Sequence, residues 1–363
     1  MTKREGFILA ATLWALVALT VIAAYIDGVT RTNVDNAHRA KRMLQAELDR
    51  RGTEATLLYL LATNRMNRRS LVLETEQRPN TGTVMLDDTG DGVLRLGGEA
   101  YQGLGEVAFS LQDELGLVSV NAPTYPQLSQ VLTSIGVPRG DVAALMPRLS
   151  DYIDVDGDLI LDGAEAYDYA RTDRPPPANF FLATPMELNR VLGAENLLDR
   201  AQRQRLRAMT TPRLVSGLNF NTMPPEVAAA VLETEIDDLD AFLAAREEAP
   251  LTDFDRILEL TGRAADIPSE RVAPAPSIAL RVSTWWQHGG PRTVVGITLS
   301  PAARYQPPVS APWRKEYRYS EPSRPATALR QAPTPLLGGQ AEDQDATAAP
   351  PNAPNQRTPG RPG

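Results

Sequence analysis

The sequence predicts an α+β protein: a long N-terminal helix, then an antiparallel sheet that a large all-helical insertion interrupts. Three observations carry that reading. An apolar run passes into an amphipathic one over residues 7–67, strand-like patterns over 68–120 stop and return over 271–319, and helical periodicity fills 121–270 between them. With 363 residues, 42% of them hydrophobic, the chain can bury one large core or two ordinary ones.

From Phe7 to Ile26 the chain carries no charge, proline or glycine. Twenty such residues in a helix rise roughly 30 Å, the thickness of a bilayer's hydrocarbon core. Residues 7–26 therefore read as a single membrane span. Lys3 and Arg4 precede it, which keeps the N-terminus cytoplasmic and puts the bulk of the chain on the far side. A cleaved secretory signal shares this look, but no small-residue cleavage site with a turn follows it. Instead Val34, Met43, Leu44, Leu48, Leu57, Leu58 and Leu61 recur at helical spacing with charges between them. One continuous helix explains both halves.

The sheet is read from short runs. Val84-Met85-Leu86, Val93 to Leu96 and Val107 to Leu111 have strand length and are separated by turn residues at Asn80 to Gly82 and Asp87 to Gly92. Helical faces follow at Leu128, Val131, Leu132 and Ile135, at Val142, Leu145, Met146 and Leu149, at Val191, Leu192, Leu197 and Leu198, and at Val227, Val231, Leu232, Leu239, Phe242 and Leu243. Strand character resumes in SIALRVSTWWQ and RTVVGITLS, which His288-Gly289-Gly290-Pro291 joins as a hairpin. A third short strand includes Pro312 to Arg314, and Trp285 and Trp286 read as sheet packing. Residues 320–363 are rich in Pro, Ala, Gln, Thr and Gly, and read as a disordered tail because they offer little apolar surface against the entropy of ordering. A weak repeat places Val118-Ser-Val-Asn121-Ala-Pro one hundred residues before Leu218-Asn-Phe-Asn221-Thr-Met-Pro. Each copy reads as a strand-like entry with Asn or Thr capping a helix.

The segment Lys3-Arg4-Glu5-Gly6-Phe7 ahead of such a helix resembles the type IV pilin superfamily. The resemblance implies a pilin-like fold, a leader of residues 1–6 cut by prepilin peptidase after Gly6, and methylation of the new N-terminal Phe7. Pilins mostly carry glutamate at the fifth mature residue, where this chain has Ala11. Loss of that carboxylate suits a subunit at the fibre tip, and is a trait of the K-type minor pseudopilins of type II secretion systems. The stretches Asp113 to Asn121 and LNFNTMPPE are also similar to that family, so the resemblance runs in patches from Lys3 to about Trp313. It implies an inner-membrane, single-pass protein with its bulk in the periplasm. Its expected partners are the I- and J-type minor pseudopilins and the secretion system's inner-membrane platform. Its expected work is to cap the pseudopilus tip and promote its assembly for protein export across the outer membrane.

The sharpest polar cluster runs from Asp151 to Glu165. Asp154, Asp156, Asp158 and Glu165 stand at offsets one, three, five and twelve, with Asp162 between the last two. So many carboxylates repel one another unless solvated or neutralised, and oxygen ligands alone favour Ca²⁺. Gly157 and Leu159 sit out of place for an EF-hand turn, which leaves a solvated acidic loop as the alternative. The K-type pseudopilins have a similar stretch with a calcium site; Gly163-Ala164-Glu165 and Tyr169 match it, while Asp151-Tyr152 replaces an Asp-Trp pair. The resemblance implies structural calcium at Asp154, Asp156, Asp158, Asp162 and Glu165.

Other chemistry is excluded or weak. The chain has no cysteine, its only imidazoles are His38 and His288, and no phosphate loop, G-x-S-x-G or H-E-x-x-H motif occurs. A structural protein rather than an enzyme is expected. The competing reading is a membrane-anchored helix-hairpin-helix protein for DNA binding and uptake, because LNFNTMPPEVAAAVL resembles the entry to such modules. Against it stand the net charge of -8 and the acidic turn Thr234 to Asp238 where a phosphate would sit. No nucleic-acid partner is expected.

Overall fold

The structure is a computed structural model that describes residues 5–72, 93–215, 217–252, 254–261, 267–268, 271–300, 313–322, 329–330 and 332. Helix α1 (Glu5–Thr63) is continuous for 59 residues, roughly 90 Å at helical rise. It is long and apolar enough to cross a membrane. From Ala10 to Gln45 it is exposed along its whole length, and only its last turns are buried, through Thr53, Leu57, Leu58 and Leu61. It ends four residues short of the expected 67. There the Asn67 side chain accepts from the Arg69 amide, a local turn that competes with helix. Strands β1 (Arg65–Met66) and β2 (Ser70–Val72) fold back across that turn, and β3 (Val93–Arg95) joins them in a small antiparallel sheet. The strand expected at Val84 to Leu86, with the turns around it, lies outside the described residues.

The main sheet contains β4 (Gly97–Gln102), β5 (Val107–Asp113), β8 (Ala279–Trp286), β9 (Pro291–Leu299) and β10 (Trp313–Pro322), in the order β10-β9-β8-β5-β4. Every neighbouring pair is antiparallel. Strands β5 and β8 are partners although the whole helical region separates them in sequence, from Asp113↔Leu280 to Val107↔Trp286. The expected interruption of one sheet is thus observed. Alternation then splits the faces. Phe109, Leu111, Leu280, Val282, Val295 and Ile297 form one core with Leu57, Leu58 and Leu61 of α1. Each such buried side chain contributes about 1.5–3 kcal/mol, so this contact holds the end of the long helix to the sheet. The opposite face is polar: Ser110, Gln112, Arg281 and Ser283 look across a cleft of about 220 Å³ at Arg207, Met209 and Pro224.

The insertion supplies β6 (Val118–Ser119), α2 (Pro126–Ser134), α3 (Arg139–Ile153), α4 (Ala166–Ala170), α5 (Arg200–Met209), β7 (Thr210–Thr211), α6 (Pro225–Val231), α7 (Asp240–Glu248) and α8 (Phe254–Thr261). It has its own core, in which Leu128, Leu132, Leu149, Tyr169, Phe220 and Phe242 are fully buried.

Three expectations need correction. Val191, Leu192, Leu197 and Leu198 lie in turns rather than an α-helix. A 3-10 helix (Pro185–Arg190) stops at Val191, and the Gly193 amide bonds the nearby Glu195 carboxylate, giving the backbone a local alternative to helix. The short strand at Pro312 to Arg314 runs ten residues as β10, because Tyr317 and Tyr319 alternate onto the sheet's buried side and lengthen the pattern. Residues 320–322, expected in the disordered tail, belong to that strand, and Arg330 forms a parallel bridge with Tyr101.

Candidate functional site

The joint between sheet and insertion is built on Asp113, the last residue of β5. Its side chain is fully buried. One oxygen accepts from the Leu115 amide (3.2 Å) and from the amide and hydroxyl of Ser277 (both 3.0 Å). The other accepts from Asn219 Nδ2 (3.1 Å) and Thr222 Oγ1 (2.9 Å). A single carboxyl therefore ties the exit from the sheet, the return to it and the entry to α6. Burial pushes this carboxyl up to about 6, against the opposing pull of the Ser277 and Leu115 amides. Beside it, buried Glu114 accepts from the hydroxyls of Thr211 and Tyr317 and faces Arg281 at 3.6 Å. Arg281 in turn donates to the carbonyls of Arg207 (3.1 Å) and Thr210 (2.8 Å). The polar face of the sheet is thus matched to backbone acceptors of the insertion.

The sequence repeat is structural, but its role differs from capping. Helices α2 and α6 begin with Pro126 and Pro225, and neither has a side-chain cap. Asn121 instead pairs with a distant backbone: Leu182 N donates to its Oδ1 (2.8 Å) while its Nδ2 donates to Leu182 O (3.0 Å). Asn221 does the same with Leu251, at 2.7 and 2.9 Å. Each asparagine imitates one residue of a strand and pins a loop to the insertion's core. The register of the repeat was legible in the sequence; the distant partners were not.

The acidic segment links α3 to α4. Asp151, near the end of α3, is fully buried; the amides of Ile160 and Ala164 approach its carboxylate, but neither oxygen accepts a hydrogen bond of good geometry. Asp154 caps the C-terminus of α3, and Glu165 precedes α4. Both are half-buried, and each has one buried oxygen without a partner. Asn179 reaches over this segment, its Nδ2 donating to Asp156 O (3.0 Å) and its Oδ1 left buried without a partner. Burial raises the carboxyl of Asp151 against the opposing pull of the Ile160 and Ala164 amides, and the charges of Asp156 and Asp168 add to the rise. Burial likewise raises Asp154, together with Asp156, Asp151 and Asp158, and raises Glu165, together with Asp151 and Asp154. The structure therefore brings Asp151, Asp154 and Glu165 into mutual repulsion. Asp156, Asp158 and Asp162 are exposed, and Asp156 is engaged by the Asp158 amide (3.0 Å). Asp151 is absent from the ligands expected from the sequence; it stands two and six residues from the core residues Leu149 and Leu145, off their helical face, so periodicity gives no sign of its burial. Among the described residues no group of three acidic or imidazole side chains forms a ready-made ion site.

Gly6 and Phe7 fall in the first turns of α1. The segment likened to a helix-hairpin-helix entry holds α6, a 3-10 turn (Ile236–Leu239) follows it, and Glu226, Glu233 and Glu235 line an open groove of about 1060 Å³ there, together with Arg139 and Arg205. Glu233 and Glu235 would repel a phosphate approaching the hairpin.

A long exposed helix seated on an antiparallel sheet has a mainly helical domain spliced between two of its strands. That domain is not all-helical as expected, because β6 and β7 pair in parallel within it. The whole is a pilin-like fold with an enlarged head. Comparison with known proteins agrees. Residues 108–211 match the family described as type II secretion system (T2SS), protein K, and this stretch spans β5, the joint at Asp113 and the acidic segment. A chain in the crystal structure of the GspK-GspI-GspJ complex from the enterotoxigenic Escherichia coli type 2 secretion system shares the fold, with a TM-score of 0.50 and 18% identity over 79% of this chain and 100% of that one. Curated protein sequences yield no match. The match makes residues 108–211 similar to protein K of the type II secretion system, in agreement with the resemblance to K-type minor pseudopilins in the sequence.

Proposed function

We propose that this chain caps the tip of the type II pseudopilus and promotes its assembly for export across the outer membrane. The observation that carries the reading is α1, exposed from Ala10 to Gln45 and in no need of its own head. That surface suits an inner-membrane span before assembly and helix packing within a fibre after it. Ala11 stands on the exposed helix where a pilin would place its glutamate. The helical insertion adds bulk that blocks a further subunit above. The E. coli structure is of a GspK-GspI-GspJ complex, which supports I- and J-type minor pseudopilins as partners here, beside the inner-membrane platform. In this reading the N-terminus is cytoplasmic, the head is periplasmic, and prepilin peptidase cuts between Gly6 and Phe7 before methylation. The test is co-purification of the full chain, from cells with active prepilin peptidase, with its I- and J-type partners. The expected result is a ternary complex whose K subunit begins at methylated Phe7; a chain that keeps residues 1–6 and binds neither partner would overturn it.

Calcium belongs to the same proposal, with a structural role. The segment buries unpartnered carboxylate oxygens at Asp151, Asp154 and Glu165, while Val155 and Leu161 remain 85% and 88% exposed. That ordering is the reverse of what apolar burial alone produces. A hard cation held by Asp151, Asp154 and Glu165 accounts for it, with Asp156, Asp158 and Asp162 as further ligands on the exposed side. It would neutralise the charge that otherwise strains the link between α3 and α4. A melting temperature indifferent to chelator and to added Ca²⁺ would remove calcium from the proposal and leave the pilin reading intact.

A further inference from the structure

The main sheet has two edges, and β4 forms one of them. Between Pro325 and Pro333 the chain runs for seven residues without proline, as Ala-Thr-Ala-Leu-Arg330-Gln-Ala. Within that window Arg330 sits beside β4 and supplies both halves of a parallel strand pairing. The Gln102 amide donates to Arg330 O at 2.9 Å, and the Arg330 amide donates to Ala100 O at 2.9 Å. Ala332 packs against the core beneath the sheet. Tyr101, between the two bonded residues of β4, is buried and stacks on Phe109 at 5.5 Å. The pairing therefore lies over ordered structure.

An edge strand presents unpaired backbone groups to any extended chain that meets it, and proteins guard such edges with short strands and prolines. Proline lacks the amide a ladder needs. Arg330 gives both its amide and its carbonyl to β4, and Pro325 and Pro333 near it in the sequence have no amide to offer a further strand. We propose that the β4 edge is a strand-accepting surface, and that the C-terminal segment around Arg330 is its built-in, removable occupant. It keeps the edge closed to a second copy of this chain while the subunit stands alone.

The test compares hydrogen exchange in three full-anchor proteins in detergent micelles: the parent, a chain ending at Pro322, and Arg330→Pro. The Arg330→Pro variant keeps the segment but deletes its donor and disfavours the paired conformation. Loss of a bond worth about 1 kcal/mol speeds local opening roughly fivefold. The Gln102 amide is expected to exchange at least that much faster in both altered proteins, while the Val282 and Val295 amides in the sheet centre stay unchanged. Sedimentation should show concentration-dependent dimers of the chain ending at Pro322 and monomers of the parent. Equal Gln102 protection in all three proteins overturns the proposal, as does a monomeric truncated chain at every concentration. Should truncation loosen the sheet centre, Arg330→Pro alone decides through Gln102.

Discussion

Gly116 is the narrowest point of the joint between sheet and insertion. A Cβ there would stand 2.5 Å from the Thr222 carbonyl oxygen, 2.8 Å from its carbon and 2.7 Å from Gln112 Nε2. An ordinary contact of about 3.5 Å forces the two backbones to part by roughly 1 Å. Such a shift stretches the bond from Asn219 N to Leu115 O, now 2.8 Å, beyond useful range, along with that from Gln112 Nε2 to Thr222 O, now 2.9 Å. Overpacking costs about 1–3 kcal/mol, and two buried hydrogen bonds about 1 kcal/mol each. Gly116→Ala should therefore destabilise the chain by about 3–5 kcal/mol, or about 10 °C in melting temperature. The measurement is thermal unfolding of the detergent-solubilised chain, followed by tryptophan fluorescence and circular dichroism. Gly140, in the first turn of α3 with open space around it, is the control: its alanine variant should gain about 0.5–1 kcal/mol. A Gly116→Ala protein that melts within a degree of the parent refutes the claim that backbone contact there sets the geometry of the joint.

Burial lifts the Asp113 carboxyl from 3.8 to about 6, so the folded state holds its proton to higher pH than the unfolded state. This contribution to stability is fully present below pH 3.8 and is lost as pH rises through 6, a change of about 3 kcal/mol. Urea unfolding at a series of pH values should show the decline, and Asp113→Asn should flatten it. Asn221→Ala leaves the Leu251 amide and carbonyl without their partners and should cost about 2–4 kcal/mol, with Asn121→Ala similar through Leu182; a loss below 1 kcal/mol in both would deny the strand-mimic role. Asp151→Asn removes a buried, unpartnered charge, so it should raise the melting temperature in chelator and abolish any rise on adding Ca²⁺. A variant that melts lower than the parent in chelator would count against unrelieved repulsion at that carboxyl.

Much of the architecture was legible because it rests on local pattern. The charge-free run from Phe7 to Ile26 and the leucines from Leu44 to Leu61 specify a helix by spacing alone, and α1 is that helix. Alternation specified β5, β8 and β9 for the same reason. The turns around Val191 misled because leucines and valines at helical intervals serve a buried loop equally well, and Glu195 decides the matter through one side-chain bond to the backbone.

The long helix was determined by the sequence itself, since every hydrogen bond within it closes four residues away and its apolar face needs no particular partner to exist. The interruption of the sheet could also be read there, because the period of the side chains changes from two to 3.6 and back. What only the tertiary structure decided was which distant groups meet. Asp113 became the clasp because Ser277, Asn219 and Thr222 converge on it from three parts of the chain. Asp151, written as one acid among many, became the buried one because α3 turns it inward. Asn121 and Asn221 bind loops sixty-one and thirty residues away, and Arg330 reaches β4 across the end of the sheet. Polar side chains carry no period to reveal such partners; desolvation makes them choose one only when the fold has closed around them.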